Sequence, residues 1–254
     1  MTLTTKKSVL LILTIWLTAC SASPTATIPP SPQPVKVSFS PSLEPVRDAL
    51  YACANTLPEI ALFIEKIPIT AQDFKTNDLI IWWGEKPEEM DYAFPLAEDE
   101  LVVITNLENP NMELSASELE ALFDGRVENW SDISTYDKPV SVWIYPTESK
   151  LSDIFRVSIL DTQRFSRLAF LAPSPQAMLE AVAADPGGIG YLPRSWLTPE
   201  VSHSLIDPNL QVMLRKPILA LVNSEPQGNL SALLGCLQTG VGQERMLEHY
   251  PLTN

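Results

Sequence analysis

The chain has 254 residues, of which 45% are hydrophobic and 19% are charged, and its formal net charge at pH 7 is −14. These proportions are typical of a folded protein with a substantial core and exclude an intrinsically disordered chain. The acidic balance argues against nucleic acid and anionic lipid surfaces as partners, because both are bound through clusters of lysine and arginine.

The first twenty residues have the pattern of an export signal. Lys6 and Lys7 precede the apolar run SVLLILTIWL, which is too short to span a bilayer. The next residues, LTAC, end at Cys20 and are similar to a bacterial lipobox, in which cleavage occurs before the cysteine and the cysteine receives lipid. We predict a lipoprotein signal peptide at residues 1–19 and lipidation of Cys20. An ordinary signal peptide or an uncleaved anchor is the alternative.

A tether follows the signal. Residues 20–34 are rich in serine, threonine and proline, and such a segment cannot bury enough apolar surface to fold. The folded region is therefore predicted at residues 35–254. Loss of residues 1–19 removes two lysines and no acidic residue, so the net charge of the mature chain becomes −16.

Predicted strands and helices alternate through the folded region. Apolar or alternating runs predict strands at 35–39, 58–66, 77–85, 99–105, 138–146 and 210–223, and residues 185–193 predict a turn followed by a short strand. Helical periodicity and capping signals predict helices at 40–57, 115–125, 147–160, 175–185, 229–239 and 242–250. This alternation predicts an α/β fold whose sheet is covered by helices on both faces.

The segment 101–133 has the clearest local signals. Ser115 and Glu118 have the spacing of a capping box, an apolar i, i+3, i+4 stripe follows, and Gly125 can end the helix in the left-handed conformation. Trp130 then provides an apolar anchor for the exit loop. The segment as a whole resembles "strand, then NPxNPxxxLTxxELxxIFxGxxxxW" of the phosphate-type solute-binding proteins of ABC transporters.

A second segment, DPGGIGYLP at residues 185–193, resembles the "VxxxPGAIGYV" of the same family. The resemblance implies a two-lobe, periplasmic-binding-protein-like (type II) fold, in which each lobe is a mixed sheet flanked by helices. Carried onto this sequence, lobe 1 would contain residues 35–104 and 192–254, and lobe 2 would contain residues 105–191.

The resemblance also implies a function. The chain would be the lipid-anchored substrate-binding component of an ABC transporter, on the outer face of a bacterial membrane. Its partners would be a small-molecule solute held between the lobes, which is an oxyanion in the resembled family, and an ABC permease. A ligand-free structural or interaction lipoprotein on the same scaffold is the alternative.

The resemblance implies ligand contacts at three places, because in that family hydroxyls and the free N–H groups of helix starts hold the oxyanion. The matching candidates in this sequence are Ser38, Ser40, Ser42, Trp83, Thr147, Ser149 and Lys150.

Two features of this sequence depart from the phosphate-binding pattern. The SFSPSLEP segment after the first strand contains no glycine, and Glu148 places a carboxylate near the expected anion. An unpaired carboxylate facing an oxyanion is unfavourable. Phosphate is therefore not carried over as the ligand, and a different solute, such as one with an amine, or a scaffold that has lost its ligand fits these residues as well.

The sequence contains no constellation that indicates catalysis. The two histidines, His203 in a predicted loop and His249 at a predicted helix end, have no cluster of metal ligands around them, and neither a G-x-S-x-G elbow nor a P-loop is present. We predict a protein that is not an enzyme and that uses no metal or other cofactor.

Two further pairs of residues leave alternatives open. Cys53 and Cys236 could form a disulfide in an exported domain or remain as buried free thiols. The adjacent Trp82 and Trp83 could line the wall of a cleft. The favoured interpretation is that one is buried in the core and the other points outward, since alternate strand residues face opposite sides.

Overall fold

The structure is a computed structural model that describes residues 31–68, 73–109, 113–160 and 164–250. The predicted signal peptide, Cys20 and most of the predicted tether lie outside the described residues. Within the described part, no helix is long and apolar enough to cross a membrane.

The strands and helices are numbered separately along the chain. The strands are β1 (Gln33–Phe39), β2 (Ile60–Lys66), β3 (Leu79–Trp83), β4 (Tyr92–Asn106), β5 (Glu113–Leu114), β6 (Ser141–Ile144), β7 (Phe170–Leu171), β8 (Gly188–Pro193), β9 (Val201–His203), β10 (Leu205–Ile206) and β11 (Arg215–Val222). The helices are α1 (Val46–Thr56), α2 (Asp73–Thr76), α3 (Ala116–Asp124), α4 (Lys150–Phe155), α5 (Pro175–Ala184), α6 (Pro208–Leu214), α7 (Gly228–Thr239) and α8 (Val241–His249). A π-helical segment, Arg156–Leu160, continues α4.

The main sheet has the strand order β2-β1-β3-β11-β4-β8-β6-β7, and β9 also pairs with β4. It is a mixed sheet, because β1 is parallel to β2 and β3, whereas β11 is antiparallel to β3 and β4. On the other side, β4 is antiparallel to β8, and β6 is parallel to β8 and β7. The mixed α/β architecture predicted from the sequence is confirmed.

Strand β4 is shared by two groups of strands. Its residues 92–100 pair with β11, and its residues 101–105 pair with β8. The partner therefore changes between Glu100 and Leu101. The described residues from Pro32 onward form one compact unit. The predicted lobes at 35–104 with 192–254 and at 105–191 stay a prediction.

The two segments that resemble the solute-binding family are neighbours in space. The buried Trp130 donates its indole N–H to the carbonyl of Gly187 at 2.9 Å, and β4 pairs directly with β8. A Cβ on Gly187 would lie 2.0 Å from the carbonyl oxygen of Pro139, so this close approach requires glycine. Trp130 and strand β8 are thus buried against each other in the packed interior.

The predicted boundaries of α3 are confirmed. The Ser115 hydroxyl accepts from the Glu118 N–H, and the Glu118 carboxylate accepts from the Ser115 N–H at 2.9 Å, which completes the capping box. Gly125 ends the helix with φ of 86°, and the apolar stripe of the helix is fully buried.

Two local predictions are wrong. The first part of the predicted strand 210–223 is helical, because Asp207 caps α6 by accepting from the Asn209 N–H at 2.7 Å and Pro208 occupies the first turn. His203, predicted in a loop, ends β9. By contrast, His249 ends α8 as predicted.

A disulfide joins α1 to α7. Cys53 and Cys236 are bonded with a Cα–Cα distance of 5.8 Å, so the structure has the first of the two alternatives that the sequence left open. Helix α8 packs onto this bridge at Gly242, where a Cβ would lie 2.4 Å from the Cys53 sulfur. The bridge links helices that are separated by most of the folded chain.

Candidate functional site

A cavity of about 470 Å³ lies where several parallel strands end. It is lined mainly by residues 40–42 after β1, residues 81–83 of β3, residues 145–151 after β6, and residues 173–175 between β7 and α5. The space beyond the carboxyl ends of strands is where α/β sheets commonly bind ligands, because loops and helix starts meet there.

Six of the seven predicted ligand-binding residues line this cavity. They are Ser40, Ser42, Trp83, Thr147, Ser149 and Lys150. Ser38 does not line it, since this residue is fully buried on β1 and donates its hydroxyl to the Asn77 side-chain oxygen at 2.7 Å. The structure thus brings together three segments that are far apart in the sequence.

The serine hydroxyls at the cavity are positioned by local structure. Ser149 caps α4 by accepting from the Leu151 N–H at 3.3 Å, and Ser174 caps α5 by accepting from the Ala177 N–H at 3.2 Å. A hydroxyl that accepts in this way keeps its own proton for donation to a ligand. The Ser40 and Ser42 hydroxyls lie 2.6 Å apart, so one of the two protons is used between them.

Trp82 and Trp83 line the cavity, and each donates its indole N–H to a backbone carbonyl of the protein. Trp83 is 3% exposed and donates to the Lys216 carbonyl at 3.1 Å. Trp82 is half-buried and donates to the Glu85 carbonyl at 2.9 Å. The alternation predicted for the pair is therefore present, yet both residues also line the cavity.

Three charged side chains line the cavity in the described part of the chain: Glu148, Lys150 and Asp153. The Lys150 Nζ lies 5.3 Å from the centre of the Trp82 ring and 4.0 Å from Asp153 Oδ2. Glu148 is exposed and accepts from the Thr147 hydroxyl at 3.1 Å. The carboxylate that departs from the family pattern thus lies at the cavity, as the sequence predicted from its position.

Lys150 connects the two sides of the cavity. It begins α4, which follows β6, whereas Trp82 lies on β3. Its aliphatic stem passes Gly84, where a Cβ would lie 3.2 Å from Lys150 Cε. Gly84 has φ of 113°, so glycine is required there for the backbone conformation and leaves room for the lysine.

Tyr145 was not predicted from the sequence. It lines the cavity and is 1% exposed, and its hydroxyl has no hydrogen-bond partner among the described residues. Burial raises the pKa of Tyr145 well above its ordinary value, with a further contribution from Tyr191. The hydroxyl is therefore a neutral group that can donate a hydrogen bond at physiological pH.

Ser174 was also missed as a site residue. Ser174 could be placed at the site from sequence only if the strand before it were recognised. That strand, β7, has only two residues, both exposed, so no alternation of apolar and polar residues reveals it.

Among the described residues, no group of three or more histidine, cysteine, aspartate or glutamate side chains could hold a metal ion. The arrangement instead offers hydroxyl donors, aromatic surface, one ammonium group and two carboxylates. These groups can bind a small molecule.

Comparison with known proteins identifies the family. A model of the PBP superfamily domain matches residues 84–211, which is half of the chain. The chain belongs to the PBP superfamily. No curated protein sequence matches it.

Solved structures share the fold of this PBP-superfamily chain. One is described as a phosphate ABC transporter substrate-binding protein with bound phosphate from Clostridium perfringens, with TM-score 0.77, 18% identity, and 86% of this chain and 98% of that chain covered. Another is an ABC-type phosphate transport receptor from Vibrio cholerae, with TM-score 0.70, 18% identity, and 87% and 100% covered. A third is the regulatory domain of MetR, a LysR family regulator from N. meningitidis, with TM-score 0.62, 18% identity, and 86% and 97% covered.

These matches confirm the predicted resemblance at the level of family and fold.

Proposed function

We propose that this protein is the extracytoplasmic solute-binding component of an ABC transporter and holds its ligand in the 470 Å³ cavity. The observation that carries the proposal is the convergence of the Ser40–Ser42, Trp82–Trp83 and Thr147–Lys150 segments on one cavity. The same fold in proteins named as phosphate transport receptors supports the proposal.

The proposed mechanism is closure of two lobes about their connections. Residues 35–104 with 192–254 would form one lobe, and residues 105–191 would form the other. The change of strand partner within β4 at residues 100–101 supports a connection there. Closure would bury the solute and present the loaded protein to a permease in the membrane.

We also propose that lipid on Cys20 holds the protein on the outer face of a bacterial membrane, with residues 20–34 as the tether. Cells that express the full chain would be fed radioactive palmitate. Label in the wild-type protein and none in a Cys20→Ser variant is expected, and equal label or no label in both would contradict the anchor.

Solute binding is tested on the purified full chain. Native mass spectrometry would detect a co-purifying solute, and thermal-shift measurements would compare phosphate, other oxyanions, amino acids and amines. A ligand at 100 times its dissociation constant adds about 2.7 kcal/mol to the free energy of unfolding. Neither a co-purified solute nor a shift with any compound would contradict the receptor function and favour the alternative of a ligand-free scaffold lipoprotein.

A matched pair of variants separates binding from folding. Ser149 and Ser115 both cap helices, but only Ser149 lines the cavity. Each Ser→Ala change is expected to lower the free energy of unfolding by about 1 kcal/mol. Only Ser149→Ala is expected to weaken solute binding as well, and equal affinities in the two variants would argue against the cavity as the binding site.

A further inference from the structure

The chemical class of the solute can be inferred from the way the cavity holds the Lys150 ammonium group. That group lies over the face of the Trp82 ring at 5.3 Å, and Asp153 lies beside it at 4.0 Å. An aromatic face within about 6 Å, with a carboxylate beside it, is the arrangement by which proteins recognise organic cations. The cavity therefore contains a position suited to an ammonium group, and the side chain of Lys150 fills it.

The charge balance at the cavity favours a cation over an anion. Asp153 also accepts from Arg156 at 2.9 Å, so its charge is compensated. Glu148 has no cationic partner among the described residues and contacts the Thr147 hydroxyl. The charge of this carboxylate at the cavity repels a bound oxyanion and attracts a bound ammonium group.

The size and surface of the cavity favour an organic ligand over a lone oxyanion. A volume of about 470 Å³ lies in the range of cavities that hold organic ligands of moderate size. Both tryptophan rings and several prolines supply apolar surface for the body of a ligand.

We propose that the solute is an organic amine whose ammonium group takes the place over Trp82 and beside Asp153 that Lys150 holds, with Glu148 adding a second negative charge to the cavity. This inference rests on the proposed function of the cavity as a solute site. The Lys150 side chain then competes with the solute for the face of the Trp82 ring and moves away from the ring when the solute binds.

The proposal makes opposite predictions for amines and for oxyanions at two positions. Loss of the Lys150 charge removes the competitor and a repulsive charge, so Lys150→Met is expected to tighten amine binding about ten-fold. Glu148→Gln removes one of the two carboxylate charges at the cavity and is expected to weaken amine binding by a similar factor. For a phosphate ligand the signs reverse, because Lys150 would attract it and Glu148 would repel it.

The experiment is isothermal titration of the full chain and both variants at pH 7.5 with putrescine, choline, tyramine and inorganic phosphate as probes. Near-ultraviolet circular dichroism would confirm that each variant is folded. Trp82→Phe keeps an aromatic face and should retain amine binding, whereas Trp82→Leu should lose it.

Each outcome decides between the two proposals. Amine binding that tightens in Lys150→Met, weakens in Glu148→Gln and needs a ring at position 82 supports the inference. Phosphate binding that weakens in Lys150→Met and strengthens in Glu148→Gln, without amine binding, overturns the amine class and leaves the receptor function intact. If no amine binds to the wild type or to Lys150→Met, the inference is also overturned. If phosphate and the wider solute panel fail as well, the receptor function falls with it.

Discussion

Asp99 gives a prediction whose magnitude can be worked from the structure. This residue is 6% exposed on β4, next to the point where β4 changes partners. Its carboxylate accepts from the Ser195 hydroxyl at 2.7 Å and from the Glu100 N–H at 2.8 Å. Burial raises the pKa of Asp99 to about 6 from the ordinary 3.8, and the charge of Glu100 contributes in the same direction. The ionised carboxylate is thus unfavourable in the folded chain.

The sign of the effect follows from proton binding. The folded chain binds the Asp99 proton more tightly than the unfolded chain, so stability from this group is fully present below pH 3.8 and is lost as pH rises through 6. The difference between these pKa values corresponds to a cost of about 3 kcal/mol at pH 7.5 and about 1 kcal/mol at pH 4.5. Asp99→Asn removes the charge and keeps an acceptor for the Glu100 N–H, so it should raise the free energy of unfolding by up to these amounts.

The assay is urea unfolding of the oxidised protein, followed by tryptophan fluorescence at pH 7.5 and pH 4.5. Glu98→Gln is the control, because Glu98 is an exposed neighbour on the same strand, and its effect should stay within about 0.5 kcal/mol. Two results would refute the reasoning: an Asp99→Asn variant that is less stable than the wild type at pH 7.5, or a gain that is equal at both pH values.

Three other predictions concern stability. Replacement of Cys53 and Cys236 together by alanine opens a loop with a sequence separation of 183 residues, so the free energy of unfolding should fall by about 2 to 5 kcal/mol, and a reducing agent should destabilise only the wild type in urea titrations. Ser115→Ala should cost about 1 kcal/mol by loss of the α3 cap, with Ser117→Ala as a neighbouring control that leaves the cap intact. Gly125→Ala should lower the melting temperature more than Ser115→Ala does. The backbone at Gly125 has φ of 86°, and the new Cβ would lie 2.6 Å from the Ser166 hydroxyl oxygen. Equal melting temperatures in the two variants would contradict this prediction.

Much of the scaffold could be predicted because its signals are local. The capping box at Ser115, the left-handed Gly125 and the apolar runs of β3 and β8 depend on residues a few positions apart. The wrong strand prediction at residues 210–214 also arose from local signals. The apolar residues of LQVML suit either a strand or a helix, and the Asp207-Pro208 start signal decides the outcome.

The composition of the site was harder to predict because it depends on strand order. Residues 38, 40 and 42 were grouped by sequence, yet Ser38 lies on β1 and is directed to Asn77 while the other two follow the strand and line the cavity. Tyr145 and Ser174 reach the same cavity from β6 and from the loop after β7, and no local period indicates that they meet.

The residues that identify the family and those that would choose the ligand are under different physical constraints. Trp130, Gly187 and the pairing of β4 with β8 lie in the packed interior, where a change of volume or of backbone conformation costs stability. Glu148 is exposed and Lys150 is held by contacts with Trp82 and Asp153, so these positions can change charge without loss of the fold. A shared fold at 18% identity therefore transfers the scaffold, while the charges at the cavity have to be weighed on their own. The two carboxylates and the ammonium group at the cavity are the basis of the proposal that the solute is an organic amine.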